Sequence, residues 1–310
     1  MDANGGVARG LLVLADGAQT GFAAGAVAEL ARGGVRWQRG AGAGLGAQIV
    51  ALALLGEAEE GERRWRREAE LGCPLLASRL AAAQRQLGEE PGVLAIADAS
   101  RLEGWLDPIG LVEHIAPEAA ALPQRLAHAG ASCVVAVANL RVGSAAWQPL
   151  DATAVSAREF LRAAASFPCG WGAVAEDSAA EAELRWGGVA LLAALGPPWS
   201  GTDAPWDVVS GFPFPVVARP ALGRSLLELV QRRDECLAAA TLARWCAAPD
   251  TPHLRVVAPT TVDYAAFAAR DTASLGVEYP LPWERNGELL AETVRFGSFV
   301  AAKAASVEAS

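Results

Sequence analysis

The chain has 310 residues, of which 52% are hydrophobic and 20% are charged, and its mean hydropathy is +0.23. This balance argues against an intrinsically disordered chain and allows a large buried core. The net charge of -9, with no basic stripe to offset it, argues against a nucleic-acid partner.

Apolar runs of strand length alternate with helical patterns along the chain. In order, the sequence predicts a strand over 10–14, a loop over 15–21, a helix over 22–32, a strand over 35–39, helices over 48–55 and 57–70, a strand over 93–96, helices over 111–114 and 118–129, a strand over 133–138, a helix over 157–165, strand pieces at 208–209 and 216–217, one or two helices over 221–245 and a strand over 254–259. The alternation predicts an α/β fold of three layers, in which helices flank a mostly parallel sheet. No low-complexity linker divides the chain, so we expect a single domain over 1–300 and a flexible alanine-rich tail over 301–310.

The five cysteines include no Cys-x-x-Cys pair, so neither a zinc site nor a disulfide framework is indicated. The N-terminal residues lack the basic region of a signal peptide. The longest uncharged segments, 40–56 and 186–202, are short for a membrane span and contain glycine or proline. We therefore expect a soluble cytoplasmic protein with no transmembrane segment, no metal and no cofactor.

The glycines around Gly44 have the spacing of a nucleophile elbow. Segment 40–47 reads Gly-Ala-Gly-Ala-Gly-Leu-Gly-Ala and joins a predicted strand to a predicted helix. In the motif G-x-S-x-G, a tight turn of this kind presents a serine oxygen above the sheet, and its crowded backbone requires small residues. Gly42 and Gly46 frame the turn, but Gly44 stands where the serine is expected. A register that begins at Gly40 places Gly42 there, and no serine in the chain has both framing glycines.

The order of these elements resembles the patatin-like phospholipase family. In that family a strand leads into a glycine-rich oxyanion loop, and a helix, a second strand and G-x-S-x-G follow. Here the loop segment, 16–21, reads Asp-Gly-Ala-Gln-Thr-Gly, and its distance from Gly44 fits the family. Segments 136–143 and 163–168 resemble the family's next strand and its A-S-x-x-x-P helix end. The segment 186–188, Trp-Gly-Gly, is the best match to the D-G-G/A motif of the dyad aspartate.

The resemblance covers about residues 10–260, and it implies a fold without the family's chemistry. The nucleophile position is Gly44 and the dyad-aspartate position is Trp186, and neither side chain can act as nucleophile or base. In the oxyanion loop, Asp16 and Ala18 flank Gly17 where the family has glycines. A carboxylate at Asp16, if it points inward, would oppose an oxyanion. These vestigial positions imply a pseudoenzyme.

Other side chains are candidates to replace the dyad. Asp207 lacks the two following glycines, so an ordinary loop or strand-edge carboxylate is the favoured interpretation. Cys169 is a candidate surrogate nucleophile, although a free cysteine is more often a small buried apolar residue. The histidines, His114, His128 and His253, do not have the spacing of a metal site.

The chain has ten tryptophans but only two tyrosines. Trp171, Trp186, Trp199 and Trp206 lie close together in sequence around the expected cleft wall. Trp186 could fill the vacated site, or the rings could form a partner interface. We expect ordinary core packing for more than half of the ten.

The sequence therefore predicts a non-catalytic binding, scaffolding or regulatory protein related to enzymes of lipid metabolism. Its expected partner is an active enzyme, such as a patatin-like paralogue, or a second copy of the chain. Two alternatives stay open. One is an acyl-lipid binder with an open apolar pocket beside Gly44, and the other is a lipid acyl hydrolase that uses an unrecognised site.

Overall fold

A computed structural model describes most of the chain. It covers residues 9–77, 106–115, 118–150, 157–167, 170–172, 174–175, 184–213, 226–270 and 286–308. The strand expected at 93–96 and the strand piece expected at 216–217 lie outside these residues.

Eight strands and nine α-helices are found in the described residues. The strands are β1 (Arg9–Ala15), β2 (Trp37–Gly44), β3 (Ser132–Asn139), β4 (Ser144–Pro149), β5 (Val174–Ala175), β6 (Leu184–Trp186), β7 (Trp206–Ser210) and β8 (Leu254–Val257). The helices are α1 (Thr20–Arg32), α2 (Gly46–Leu54), α3 (Ala58–Glu70), α4 (Pro108–Ile115), α5 (Leu122–His128), α6 (Ala157–Ala165), α7 (Leu226–Cys246), α8 (Thr261–Ala268) and α9 (Gly287–Glu308). Short 3₁₀ helices lie at Gly17–Gln19, Pro74–Leu76, Glu118–Ala120 and Val189–Ala194.

The strands form one mixed sheet in the order β5-β6-β3-β2-β1-β7-β8, and β4 also pairs with β3. The central pairs β3–β2, β2–β1, β1–β7 and β7–β8 are parallel. The pairs that involve β4, β5 and β6 are antiparallel. The predicted α/β class, with a mostly parallel sheet flanked by helices, is confirmed.

Strand β1 is buried on both faces, which explains its uninterrupted apolar sequence. Leu11 and Val13 belong to the core between the sheet and a layer that includes α1, α2, α3, α6 and α9. Leu12 and Leu14 belong to the core on the opposite face, which α7 and the 3₁₀ helix Val189–Ala194 cover. All four side chains are fully buried.

The register places β6 beyond the end of β2. Ala138 of β3 pairs with β4 on one edge and with Trp186 of β6 on the other. Val135 of β3 likewise pairs with β4 on one edge and with Gly42 of β2 on the other. Because a strand has only two edges, β2 and β6 lie along the same edge of β3. The strand that carries Trp186 therefore follows the strand that ends at Gly44.

The C-terminal region contains structure that the sequence patterns did not predict. Thr260 caps α8 by accepting a hydrogen bond from the Asp263 N–H at 3.0 Å. Helix α9 packs closely on α1, where a Cβ at Gly25 would lie 2.0 Å from the Val294 carbonyl oxygen. The helix continues to Glu308, and Ala301 is fully buried in it, so the tail expected from residue 301 is helical over 301–308. No helix in the described ranges is long and apolar enough to cross a bilayer.

Candidate functional site

A tight strand-to-helix turn at Gly44 is the centre of the candidate site. β2 ends at Gly44, whose φ is +65°, and α2 begins at Gly46. A Cβ at Gly42 would lie 2.3 Å from the Cα of Ala47, and a Cβ at Gly46 would lie 2.7 Å from the Val13 carbonyl oxygen. Gly42 lies too close to α2, and Gly46 lies too close to β1, for a side chain at either position. The turn thus has the backbone course of a nucleophile elbow.

The carboxyl group of Asp16 occupies the space where a side chain at Gly44 would begin. A Cβ at Gly44 would lie 2.1 Å from Asp16 Oδ1 and 2.1 Å from the Ala15 carbonyl oxygen. Parallel pairing of Ala15 with Gly44 brings the ends of β1 and β2 side by side, and Asp16 follows directly. A serine at this position therefore requires both Asp16 and the backbone of β1 to move.

The Asp16 side chain is buried, with 2% of its surface exposed, and one of its two carboxyl oxygens accepts a hydrogen bond. Its Oδ2 accepts the Val189 N–H at 3.1 Å, whereas its Oδ1 has no hydrogen-bond partner among the described residues. Burial raises the pKa of Asp16 from 3.8 to about 7, the Val189 hydrogen bond opposes that rise, and the negative charges of Asp234 and Glu235 add to it. The side chain is therefore partly protonated near neutral pH.

Helix α7 brings further buried polar side chains to this end of the sheet. Glu235, 1% exposed, accepts hydrogen bonds from Gln19 Nε2 at 2.6 Å and from Arg232 Nη1 at 2.6 Å. Gln231 Nε2 lies 3.4 Å from the same carboxylate. The Oε1 atom of Gln19 and the Oγ1 atom of Thr20 have no partner in the described part of the chain. Leaving buried polar oxygens of this kind unpaired costs free energy.

The atoms nearest to a Cβ at Gly44 belong to Ala15 and Asp16, and none of them belongs to Trp186. Its indole is half-buried, and Nε1 donates to the Trp171 carbonyl oxygen at 3.3 Å. The chain then passes the end of α6, where the Gly188 N–H donates to the Ala164 carbonyl oxygen at 3.0 Å. Gly188 has a φ of +92° and leads to the Val189 N–H that binds Asp16. The segment that follows Trp186 therefore closes over the Asp16 carboxyl group.

The structure brings four of the predicted positions together at the carboxyl ends of the strands. Gly44 and Asp16 are in contact, and Gly17 and Ala18 form the buried 3₁₀ turn that follows Asp16. Glu235 and Gln19 were not singled out from the sequence. The polar run Gln-Arg-Arg-Asp-Glu at 231–235, within a mainly apolar helical stretch, is the signal that could have indicated them.

Asp207 lies at the opposite, amino-terminal end of the parallel strands. It is fully buried and accepts hydrogen bonds from Arg9 Nη2 at 2.8 Å, Trp37 Nε1 at 2.7 Å and Arg255 Nε at 2.9 Å. These four residues belong to β7, β1, β2 and β8, so the carboxylate ties four strands together. This geometry supports a structural role for Asp207.

The other candidates are scattered over the molecule. His114 Nδ1 lies 3.5 Å from Glu68 Oε1, and His128 Nδ1 lies 2.8 Å from the Gln124 carbonyl oxygen. His253 is exposed, and Cys169 lies outside the described residues. In the ranges that the structure covers, no group of three or more His, Cys, Asp or Glu side chains could hold a metal ion.

Of the eight tryptophans that the structure describes, six are buried, which agrees with the expectation of ordinary packing for more than half of the ten in the chain. Trp199 is at the centre of one group, with ring centroids 5.9 Å from Trp206 and 5.8 Å from Trp245. The buried tryptophans are Trp37, Trp65, Trp171, Trp199, Trp206 and Trp245. They stabilise the two cores.

Comparison with known proteins finds a structural likeness but no match in sequence. No model of a protein family matches the chain, and no curated protein sequence matches it. Among solved structures, the chain is similar to the crystal structure of VipD from Legionella pneumophila, with a TM-score of 0.45 and 14% sequence identity. The match covers 97% of this chain and 67% of that chain. A likeness at this level concerns backbone arrangement alone, so membership of the patatin-like family stays a prediction.

Proposed function

We propose that this chain is a patatin-like protein that has lost serine–aspartate chemistry and acts as a non-catalytic binding or scaffolding subunit. The observation that carries the proposal is the position of Asp16 Oδ1, 2.1 Å from the point where a Cβ at Gly44 would lie. The elbow backbone is kept, but the space into which it would direct a nucleophile holds a carboxyl group.

The surroundings of Asp16 also oppose ester hydrolysis. Acyl transfer develops negative charge on an oxygen, and active sites stabilise it with donors in a preorganised pocket. Here Asp16 has Asp234 and Glu235 close enough to raise its pKa, so added negative charge is disfavoured. Trp186, at the position of the dyad aspartate, offers no base.

The proposed role is binding through the outer surface rather than through the cleft. An acyl-lipid binder would need an open apolar pocket beside Gly44, whereas the atoms nearest to a Cβ there belong to Ala15 and Asp16. The partner is an active enzyme or a second copy of the chain.

The test is an esterase assay on the full chain with fluorogenic short- and long-chain esters, together with labelling by a fluorophosphonate probe. We expect neither turnover nor labelling. Native mass spectrometry of the same sample reports any bound lipid, and co-purification from the source cells reports protein partners. Turnover that persists through successive purification steps and disappears in Asp16→Asn or Cys169→Ala would contradict the proposal.

A further inference from the structure

Within the described ranges, strand β4 lies at an open edge of the sheet. It pairs with β3 along its whole length, from Asn139↔Ser144 to Val134↔Pro149. Among the residues that the structure describes, no strand pairs with its other edge. Ser144, Ala146 and Pro149 are exposed, and the remaining residues of β4 are half-buried. The outer edge is therefore accessible to another strand.

The pairing with β3 shows which backbone groups of β4 point outward. The Leu150 N–H donates to the Cys133 carbonyl oxygen at 2.9 Å, so these opposite residues form a hydrogen-bonded pair. Hydrogen-bonded and non-hydrogen-bonded pairs alternate in an antiparallel ladder. Ala145 and Trp147 therefore direct N–H and C=O away from β3, and Pro149 directs only its C=O outward, because proline has no N–H.

The edge lacks the features that usually prevent association. Its sequence, Ser-Ala-Ala-Trp-Gln-Pro over 144–149, contains no charged residue. Exposed edge strands of soluble proteins commonly carry charged side chains, especially lysine, which prevent pairing with another chain. The only protective residue is Pro149, at the very end of the strand. The turn beside the other end carries Val142, which is 71% exposed.

We propose that a second copy of this chain adds its β4 antiparallel to this edge, which forms a two-fold dimer with one continuous sheet. Pairing centred on Trp147 sets Ala145 opposite Pro149 of the second copy. The two Trp147 residues then exchange N–H···O bonds, and each Ala145 N–H donates to the Pro149 carbonyl oxygen across the interface. The missing proline N–H falls at the ends of the ladder, so this register tolerates it.

Two observations favour a second copy over a different extended peptide. The outward groups of β4 are self-complementary in the antiparallel register, as a two-fold interface requires. The strand is uncharged within a chain of net charge -9, so two copies of β4 meet without like charges opposite each other. The indole of Trp147, already held by its Nε1–H bond to the Gly196 carbonyl oxygen at 2.8 Å, would lie beside its symmetry mate.

The proposed dimer does not depend on the proposed loss of catalysis. The ester assay tests the loss of catalysis, and a measurement of molecular mass tests the dimer. The full chain should sediment as a dimer at micromolar concentration. Ala145→Pro removes the outward N–H without removing a bond to β3, and it should raise the dimer dissociation constant about tenfold or more. Ala145→Ser keeps that N–H and is the matched control, with dimerisation close to that of the original chain.

Hydrogen exchange on the unmodified chain provides a second readout that does not require a variant to fold. Exchange at the Ala145 and Trp147 amides should slow as the protein concentration rises, while exchange at Ala146, which bonds to β3, should not change. A chain that stays monomeric up to about 100 μM, far above a micromolar dissociation constant, overturns the proposal. A dimer that Ala145→Pro leaves intact, or binding of an unrelated extended peptide to monomeric protein at this edge, also overturns it.

Discussion

Asp16 and a side chain at Gly44 exclude one another. Asp16 Oδ1 lies 2.1 Å from the point that a Cβ at Gly44 would occupy, and Gly44 has a φ of +65°. The exclusion is mutual, because Asp16 can hold its buried position only while residue 44 lacks a side chain. The two departures from the patatin-like pattern are therefore coupled through the contact between Asp16 and Gly44.

Gly44→Ser should lower the free energy of unfolding by about 3 kcal/mol or more, because it adds both backbone strain and an overlap with Asp16 and Ala15. Gly130→Ser is the matched control, since Gly130 has a φ of +64° and no atom within 4 Å of its would-be Cβ. Urea denaturation measures both. Adding Asp16→Gly to Gly44→Ser should recover part of the loss, and strict additivity of the two changes would argue against the contact.

Asp16→Asn should change how stability depends on pH. The pKa of Asp16 is about 7 in the folded chain, whereas its ordinary value is 3.8. Between these values the folded state keeps a proton that the unfolded state has lost, so stability falls as pH rises and levels off above about 7. At about 1.4 kcal/mol per unit of difference between the two pKa values, the protonated Asp16 side chain stabilises the folded chain by about 4 kcal/mol at low pH.

Asparagine resembles the neutral carboxyl group at every pH, so Asp16→Asn should remove the pH dependence that comes from Asp16. The variant should therefore become more stable relative to the original chain as the pH rises to 8. Denaturation midpoints between pH 4 and pH 8 test this. Asp234, whose pKa is also raised by burial, stays in both proteins, so only its interaction with the Asp16 charge enters the difference. Parallel pH profiles for the two proteins would show that Asp16 is not buried as described.

Asp207→Asn should destabilise the chain by about 3–5 kcal/mol, because it removes the negative charge that Arg9 and Arg255 share in a buried site. Asp203→Asn, at an exposed position of the same segment, is the control and should change stability by less than about 0.5 kcal/mol. Thermal or chemical denaturation provides the measurement. An effect of Asp207→Asn as small as that of the control would exclude its role in joining the four strands.

The local features of this fold were readable from the sequence, whereas the contacts that define its site were not. The turn at Gly44 and the strand β1 follow from glycine spacing and a continuous apolar run. The inward direction of Asp16 and its approach to Glu235 depend on where α7 packs, and no local pattern reports that. Strand β4 is not predicted from the sequence because Ser-Ala-Ala-Trp-Gln-Pro shows no clear alternation and contains no β-branched residue.

Restoring the patatin-like residue types tests the whole assignment. Gly44→Ser with Trp186→Asp supplies a nucleophile and a carboxylate, but Asp16 Oδ1 and the Ala15 carbonyl oxygen still occupy the space of a side chain at residue 44. We therefore expect this double variant to show no reaction with a fluorophosphonate probe.

Adding Asp16→Gly removes the obstructing carboxyl group, and the freer backbone of a glycine lets the Ala15 carbonyl oxygen turn away from residue 44. This triple variant should react with the probe at the introduced serine, located by peptide mapping, even if ester turnover stays low. The control is the same triple background with Gly44→Ala in place of Gly44→Ser, which presents a similar Cβ but no hydroxyl. Labelling that is equal in both backgrounds, or absent from a folded triple variant, would contradict the assignment of Gly44 as the former nucleophile position.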